Sequence, residues 1–272
     1  MYDVVVVGGG PAGLAAALVL GRARRRVALV DAGEPRNAPA HESHGYLSRD
    51  GIAPGELRAL GRAEVAGYGV ELIDDRVMDA RPGFEVRLES GRTLEARRLL
   101  VTTGLRDVLP EIPGVAELWG NDVHFCPYCH GYEVSDQPIA VIAHEPVGEH
   151  KARLLRQWSD DVAVFTPEEV VRLVVEDGRL AGVELADRVV RCTAAFVHPE
   201  FVPTDGLLTS LGCETNDQGW VTVDAGRTSV PGVWAAGNVV DPMMQIITAA
   251  GQGSAVAIAL NNDFVFETAP AS

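Results

Sequence analysis

The strongest constraint on the fold lies between Val4 and Asp31. An apolar run ending at Val7 reads as a strand buried on both faces of a parallel sheet. It leads into Gly8-Gly9-Gly10-Pro11-Ala12-Gly13, an apolar helical pattern from Leu14 to Leu20, and a second apolar strand, Val27-Ala28-Leu29-Val30, that ends in Asp31. This order is a βαβ unit. Gly8 permits the tight turn, Gly10 lets the backbone approach a pyrophosphate, and Gly13 lets helix and strand pack closely, while the helix N-terminus offers N–H groups to phosphate. Asp31 suits a ribose 2′-hydroxyl and disfavours a 2′-phosphate, so the ligand reads as FAD or NAD rather than NADP.

The chain contains a second, altered copy of this unit. A shift of 135 residues aligns Val4–Asp31 with Ile139–Thr166 without a gap. Pro146 falls on Pro11 and Gly148 on Gly13, but Ala143 replaces Gly8, Glu145 replaces Gly10 and Thr166 replaces Asp31. A carboxylate about 4 Å from a pyrophosphate charge costs about 4 kcal/mol at an effective dielectric of 20. Glu168 and Glu169 follow at once and would repel a 2′-phosphate. After Asp31 the first copy continues through a long loop, a helix near 54–65, a third strand near 70–73, a hairpin (84–88 and 93–96) and a closing strand, 99–101. The second passes almost directly to its hairpin (171–175 and 182–185) and the strand 194–197, skipping the crossover helix and third parallel strand. The expected fold is α/β, with two Rossmann-like βαβ domains, the second inserted in the first and truncated. The expected boundaries are 1–112 plus 200–272 for the first domain and 113–199 for the second.

Composition narrows the partners. The 272 residues are 47% hydrophobic and 22% charged, with 23 Lys+Arg against 38 Asp+Glu and a net charge of −15. That is globular material, and its charge disfavours a nucleic-acid backbone or an anionic membrane as the main partner. No signal segment or membrane span is read, so the expected compartment is the cytoplasm, where four cysteines are expected to be catalytic or inert rather than structural disulfides. Lys151 is the only lysine, and no role is assigned to it.

Two of the cysteines form Cys126-Pro127-Tyr128-Cys129-His130. Such a pair can alternate between dithiol and disulfide, with one thiolate exposed for exchange. A zinc site would need a second pair at ligand spacing, whereas Cys192 and Cys213 stand alone, so no metal is expected. His130, directly after the second cysteine, is expected to accept and donate protons as a side chain titrating near neutrality. His41 and His44, in the loop 38–50, read as solvated polar residues.

Together with the return segment Val233-Trp234-Ala235-Ala236-Gly237-Asn238-Val239-Val240-Asp241, these motifs resemble the low-molecular-weight thioredoxin reductases over nearly the whole chain. The resemblance implies FAD at the N-terminal site, with Gly8, Gly10, Pro11, Ala12, Gly13 and Asp31 on its ADP half and Gly104 near the flavin. It also implies Gly237 and Asn238 at the ribityl chain, where the family usually has Asp for Asn238, and Gln245, Ile246 and Thr248 at the start of a helix facing the ring. It further implies a homodimer, and roles for Cys126 as the exchanging sulfur and Cys129 as the flavin-side one.

Two departures separate the chain from that family: His130 stands where it has Asp after the second cysteine, and its NADPH-reading glycines and arginines are missing. Both resemble the flavin-dependent dithiol oxidases, which close disulfides in small sulfur metabolites such as gliotoxin and holomycin and pass electrons to oxygen. The expected function is therefore dithiol oxidation on a small-molecule dithiol, independent of NADPH. Two alternatives stand beside it. One is a reductase of a thioredoxin-like protein fed by NAD(P)H or ferredoxin; the other is a flavin-bound redox sensor.

Overall fold

The computed structural model describes residues 1–81 and 83–267. Residues 268–272, placed in the first domain by the sequence, lie outside the described residues. In chain order the elements are β1 (Tyr2–Val7), α1 (Pro11–Arg22), β2 (Val27–Asp31), α2 (Pro54–Gly67), β3 (Glu71–Asp74), β4 (Val77–Arg81), β5 (Glu85–Leu88), β6 (Thr93–Val101) and β7 (Leu105–Val108). There follow α3 (Val115–Leu118), β8 (Val123–His124), α4 (Pro127–His130), β9 (Ile139–Ile142), α5 (Val147–Leu155), β10 (Val162–Phe165), β11 (Val170–Glu176), β12 (Arg179–Leu185), β13 (Val189–Arg191) and β14 (Ala194–Val197). The chain ends with β15 (Glu200–Pro203), α6 (Gly206–Ser210), β16 (Val233–Ala235) and α7 (Ile246–Glu267). By contacts it divides into two units, one of Met1–Arg36, Gly55–Arg106 and the chain from Val202 on, the other of Asn37–Pro54 and Asp107–Phe201. Residues 37–54, which the sequence places in the first domain, thus group with the second unit.

In the first unit a seven-stranded sheet runs β3-β2-β1-β6-β5-β4, with β16 also on β6. β1, β2, β3, β16 and the second half of β6 pair in parallel, and apart from the edge strand β3 their apolar runs are buried on both faces, with Val4, Val5, Val6, Leu99 and Leu100 fully enclosed. The sequence reads 93–96 and 99–101 as separate strands; they are one. Arg97 and Arg98, between them, do not interrupt it because their guanidiniums lie 4.5 and 5.1 Å over the ring of buried Phe264 and meet Asp3 and Asp263. β4 is an additional strand, antiparallel to β5.

α1 and α7 meet at very short range. A Cβ on Gly253 would lie 2.1 Å from the Ala12 carbonyl oxygen, so only glycine allows this approach. Around it Leu14, Ala17, Leu20, Trp234, Val256, Leu260 and Phe264 form one face of the core.

In the second unit a four-stranded parallel sheet runs β10-β9-β14-β8. β9 and β10 repeat the register of the first unit: Ile139 faces Val162 as Val4 faces Val27, at the 135-residue offset of the sequence repeat. The helices repeat too, since α5 buries Gly148, Lys151, Ala152 and Leu155 where α1 buries Gly13, Ala16, Ala17 and Leu20. From β10 the chain passes through one short turn into the meander β11-β12-β13, without a crossover helix or third parallel strand. Buried Asp122 (3% exposed) ties this meander to the sheet, accepting hydrogen bonds from Arg179 and from Leu180 N–H. Among the described residues, no helix is long and apolar enough to cross a membrane.

Candidate redox and dinucleotide sites

The first unit's glycines fall into two kinds. Gly8 has φ +106° and a Cβ there would lie 2.5 Å from Thr102 O, while one on Gly13 would lie 2.0 Å from Gly8 O, so both are required by the protein itself. Gly10, the N-cap of α1, has an ordinary φ of −77° and nothing within 4 Å of an added Cβ. Its lack of a side chain matters only to something outside the chain, at a helix start whose first N–H groups lack intrahelical partners. The strand order reverses at β1 and β6, where ligands bind α/β sheets. There Thr102 Oγ1 donates to the Val7 and Gly8 carbonyls and holds the turn.

Asp31 sits at the same turn. A Cβ on Gly9 would lie 2.5 Å from Asp31 Oδ2, and Arg58 of α2 donates to that oxygen at 2.7 Å. Burial alone would raise the pKa of Asp31; Arg58 and the Gly33 and Gly9 N–H groups outweigh it and hold the carboxyl below its usual range. The roles of Gly9 and Arg58 escaped the sequence reading. Gly237 (φ +81°) packs on Ala12 and donates its N–H to Gln252 at 2.6 Å. The Asn238 amide donates to the Asp241 and Met244 carbonyls at 2.9 and 3.1 Å, which a carboxylate could not do. Gly104 (φ +71°) accepts a hydrogen bond from Thr204 N–H, and Gln245 and Ile246 open α7. Gly8, Gly10, Pro11, Ala12, Gly13, Asp31, Gly104, Gly237, Asn238, Gln245 and Ile246 thus all lie in the first unit. The open backbone at Gly10, the oriented Asp31 and the reversal of strand order together fit a dinucleotide.

The second unit's turn is different. The packing glycine is retained, since a Cβ on Gly148 would lie 2.8 Å from Ala143 O, but Glu145 occupies the place of Gly10. Thr166, in the place of Asp31, closes a capping box with Glu169, and Glu168 pairs with His144 at 3.5 Å.

Cys126 and Cys129 are joined as a disulfide at the start of α4, with Cα atoms 5.3 Å apart. Beside them lies a cluster of imidazoles. His124 stacks on His130 with centroids 4.1 Å apart, and His44 meets His130 edge-on at 6.3 Å. Burial, then the neighbouring His44, lower His130 to about 4; burial, then His130, lower His124 to about 3 against the opposing pull of Asp122. His130 is therefore neutral at pH 7 rather than the group titrating near neutrality that the sequence suggests. His44 is also not the solvated loop residue expected, because the loop closes on itself through Ser43 and Ile52. Its ring lies 3.5 Å from Glu42 and Glu133 and 3.7 Å from Asp50. Cys192 and Cys213 are buried thiols whose pKa burial raises, that of Cys192 to about 12.

The family model described as pyridine nucleotide-disulphide oxidoreductase matches residues 2–143 and 147–253. The chain belongs to that family. This pyridine nucleotide-disulphide oxidoreductase is 31% identical over 278 residues to "Thioredoxin reductase tcpT" of Claviceps purpurea, covering 88% of this chain and 86% of that one. The structure of HlmI matches it with a TM-score of 0.93 at 54% identity, over 97% of this chain and 93% of that one. A putative thioredoxin reductase from Bacillus anthracis matches with a TM-score of 0.93 at 33% identity, over 98% and 99%. The protein is thus a thioredoxin reductase-like enzyme and a flavoprotein, with the two-domain FAD/NAD(P)-binding fold of that family.

Proposed function

We propose that this oxidoreductase is an FAD-dependent dithiol oxidase: it converts a small-molecule dithiol to its disulfide and oxygen to hydrogen peroxide, without NADPH. The observation that carries this reading is the contrast between the two units. One has an open glycine at its phosphate turn, and the other puts Glu145 there, with Glu168 and Glu169 beyond its second strand.

In this reading a substrate thiolate attacks Cys126, the Cys126–Cys129 bond breaks, and Cys129 leaves as a thiolate. The second substrate thiol then attacks the substrate sulfur of the mixed disulfide, closing the product and releasing Cys126. His130, neutral and adjacent to Cys129, takes up the proton lost from a thiol. An imidazolium there is disfavoured by burial, so His130 passes the proton on rather than storing it. Gly10, the α1 start and Asp31 would hold the FAD, which when bound would supply the two-electron acceptor and the route to oxygen.

A second reading, a reductase of a thioredoxin-like protein, is favoured by the names of relatives such as the one from Claviceps purpurea. Anaerobic mixing separates the two. The oxidase reading expects a dithiol to bleach the flavin and NADPH to leave it oxidised, with dithiol-dependent oxygen uptake lost in Cys126→Ser. Rapid bleaching by stoichiometric NADPH would overturn it.

A further inference from the structure

Lys151 is the sole lysine of the chain, is 5% exposed, and stands in α5 where the repeat puts Ala16 in α1. Ala16 is fully buried, so a methyl group suffices to pack that helix on its sheet. In α5 the same place carries a four-carbon stem and an ammonium. The Nζ donates to Val197 O at 2.5 Å and to Phe125 O at 3.0 Å, and lies 4.6 Å over the Phe125 ring. Val197 ends β14, and Phe125 follows β8, so the cation sits at the carboxyl edge of the parallel sheet.

The groups facing it are these two carbonyls, the Phe125 ring and the His198 imidazole, whose pKa burial and the Lys151 charge lower. Burial lowers the lysine itself to about 7, and no carboxylate among the described residues offsets it. A buried cation held by two carbonyls and a ring face, without a counter-charge among the described residues, is costly, and helix packing does not call for one. What it touches is the peptide that joins Phe125 to Cys126.

We propose that Lys151 is a positioning residue for the exchanging thiol: by bridging Phe125 O and Val197 O, its ammonium fixes the backbone leading into Cys126 and favours the thiolate of that sulfur in the reduced enzyme. The inference rests on the reading of Cys126 as the exchanging sulfur. A cation held on the Phe125 carbonyl, one peptide bond from Cys126, adds positive potential to that segment, which favours an anionic sulfur, and an anchored carbonyl holds the attacked residue's backbone in one orientation.

The test uses full-length, FAD-loaded protein, reduced anaerobically and alkylated with iodoacetamide between pH 5.5 and 9.5, in Cys129→Ser and Cys126→Ser backgrounds. With Lys151→Met in the Cys129→Ser background, the alkylation profile of Cys126 should move up by about one pH unit, a roughly tenfold slower reaction on its acid side. Lys151→Arg should restore most of that rate, and Lys151→Gln provides a second neutral variant should Lys151→Met lose its flavin. A Cys126 profile that is superimposable with and without the lysine charge overturns the inference. The relative rates of Cys126 and Cys129 with Lys151 intact test the exchange assignment by themselves, so the two failures are read separately.

Discussion

Single side chains separate what the ligand requires from what the protein requires. Gly10→Ala meets no internal atom and adopts its φ freely, so with flavin removed from both, the variant should unfold at the same denaturant concentration as the parent, yet as purified it should carry much less flavin. Retention of a full flavin complement would show that this backbone does not approach the cofactor. Gly13→Ala, by contrast, drives a methyl into Gly8 O and should destabilise the protein itself. Asn238→Asp sets a carboxylate against the carbonyls of Asp241 and Met244 and should cost about 1–3 kcal/mol in chemical unfolding. The three motif glycines were legible in the sequence because the turn that needs them is local. Arg58 on Asp31, His44 on His130 and Lys151 on Phe125 were not, since each pairs residues whose approach depends on how separate elements pack.

At the level of elements, β1, β2 and the second half of β6, with their relatives β9, β10 and β14, follow from apolar runs at fixed spacing, which is why a repeat found by sliding the sequence reappears as a shared register. Polar residues within a run mislead that kind of reading. β6 continues through Arg97 and Arg98 because α7, distant in sequence, presents Phe264 and Asp263 to them. Phe264→Ala should accordingly cost about 3–5 kcal/mol, as the loss of a fully buried ring. It should also loosen the arginines that surround that ring. An unfolding midpoint indistinguishable from the parent's would mean that α7 does not secure this strand.

For the whole molecule, the buried imidazoles link stability to pH. His124 and His130 are depressed from an ordinary value near 6.5 to about 3 and about 4, so the unfolded chain takes up protons first as pH falls. Their contribution is complete above about 6.5 and is lost progressively as pH drops through the folded-state values. Urea midpoints at pH 7.5 and 5 should therefore differ, and His124→Phe, which keeps a ring against His130 but removes one titration, should narrow the gap. An unchanged gap would exclude His124 as a source of acid lability. The matched register of β1–β2 and β9–β10 has a wider consequence. The two copies differ at the turn and at one buried helix position, while the register of the strand pair is the same in both. The central pair of each sheet thus tolerates a changed phosphate turn, a changed helix position and the loss of a flanking strand without a shift in its own pairing.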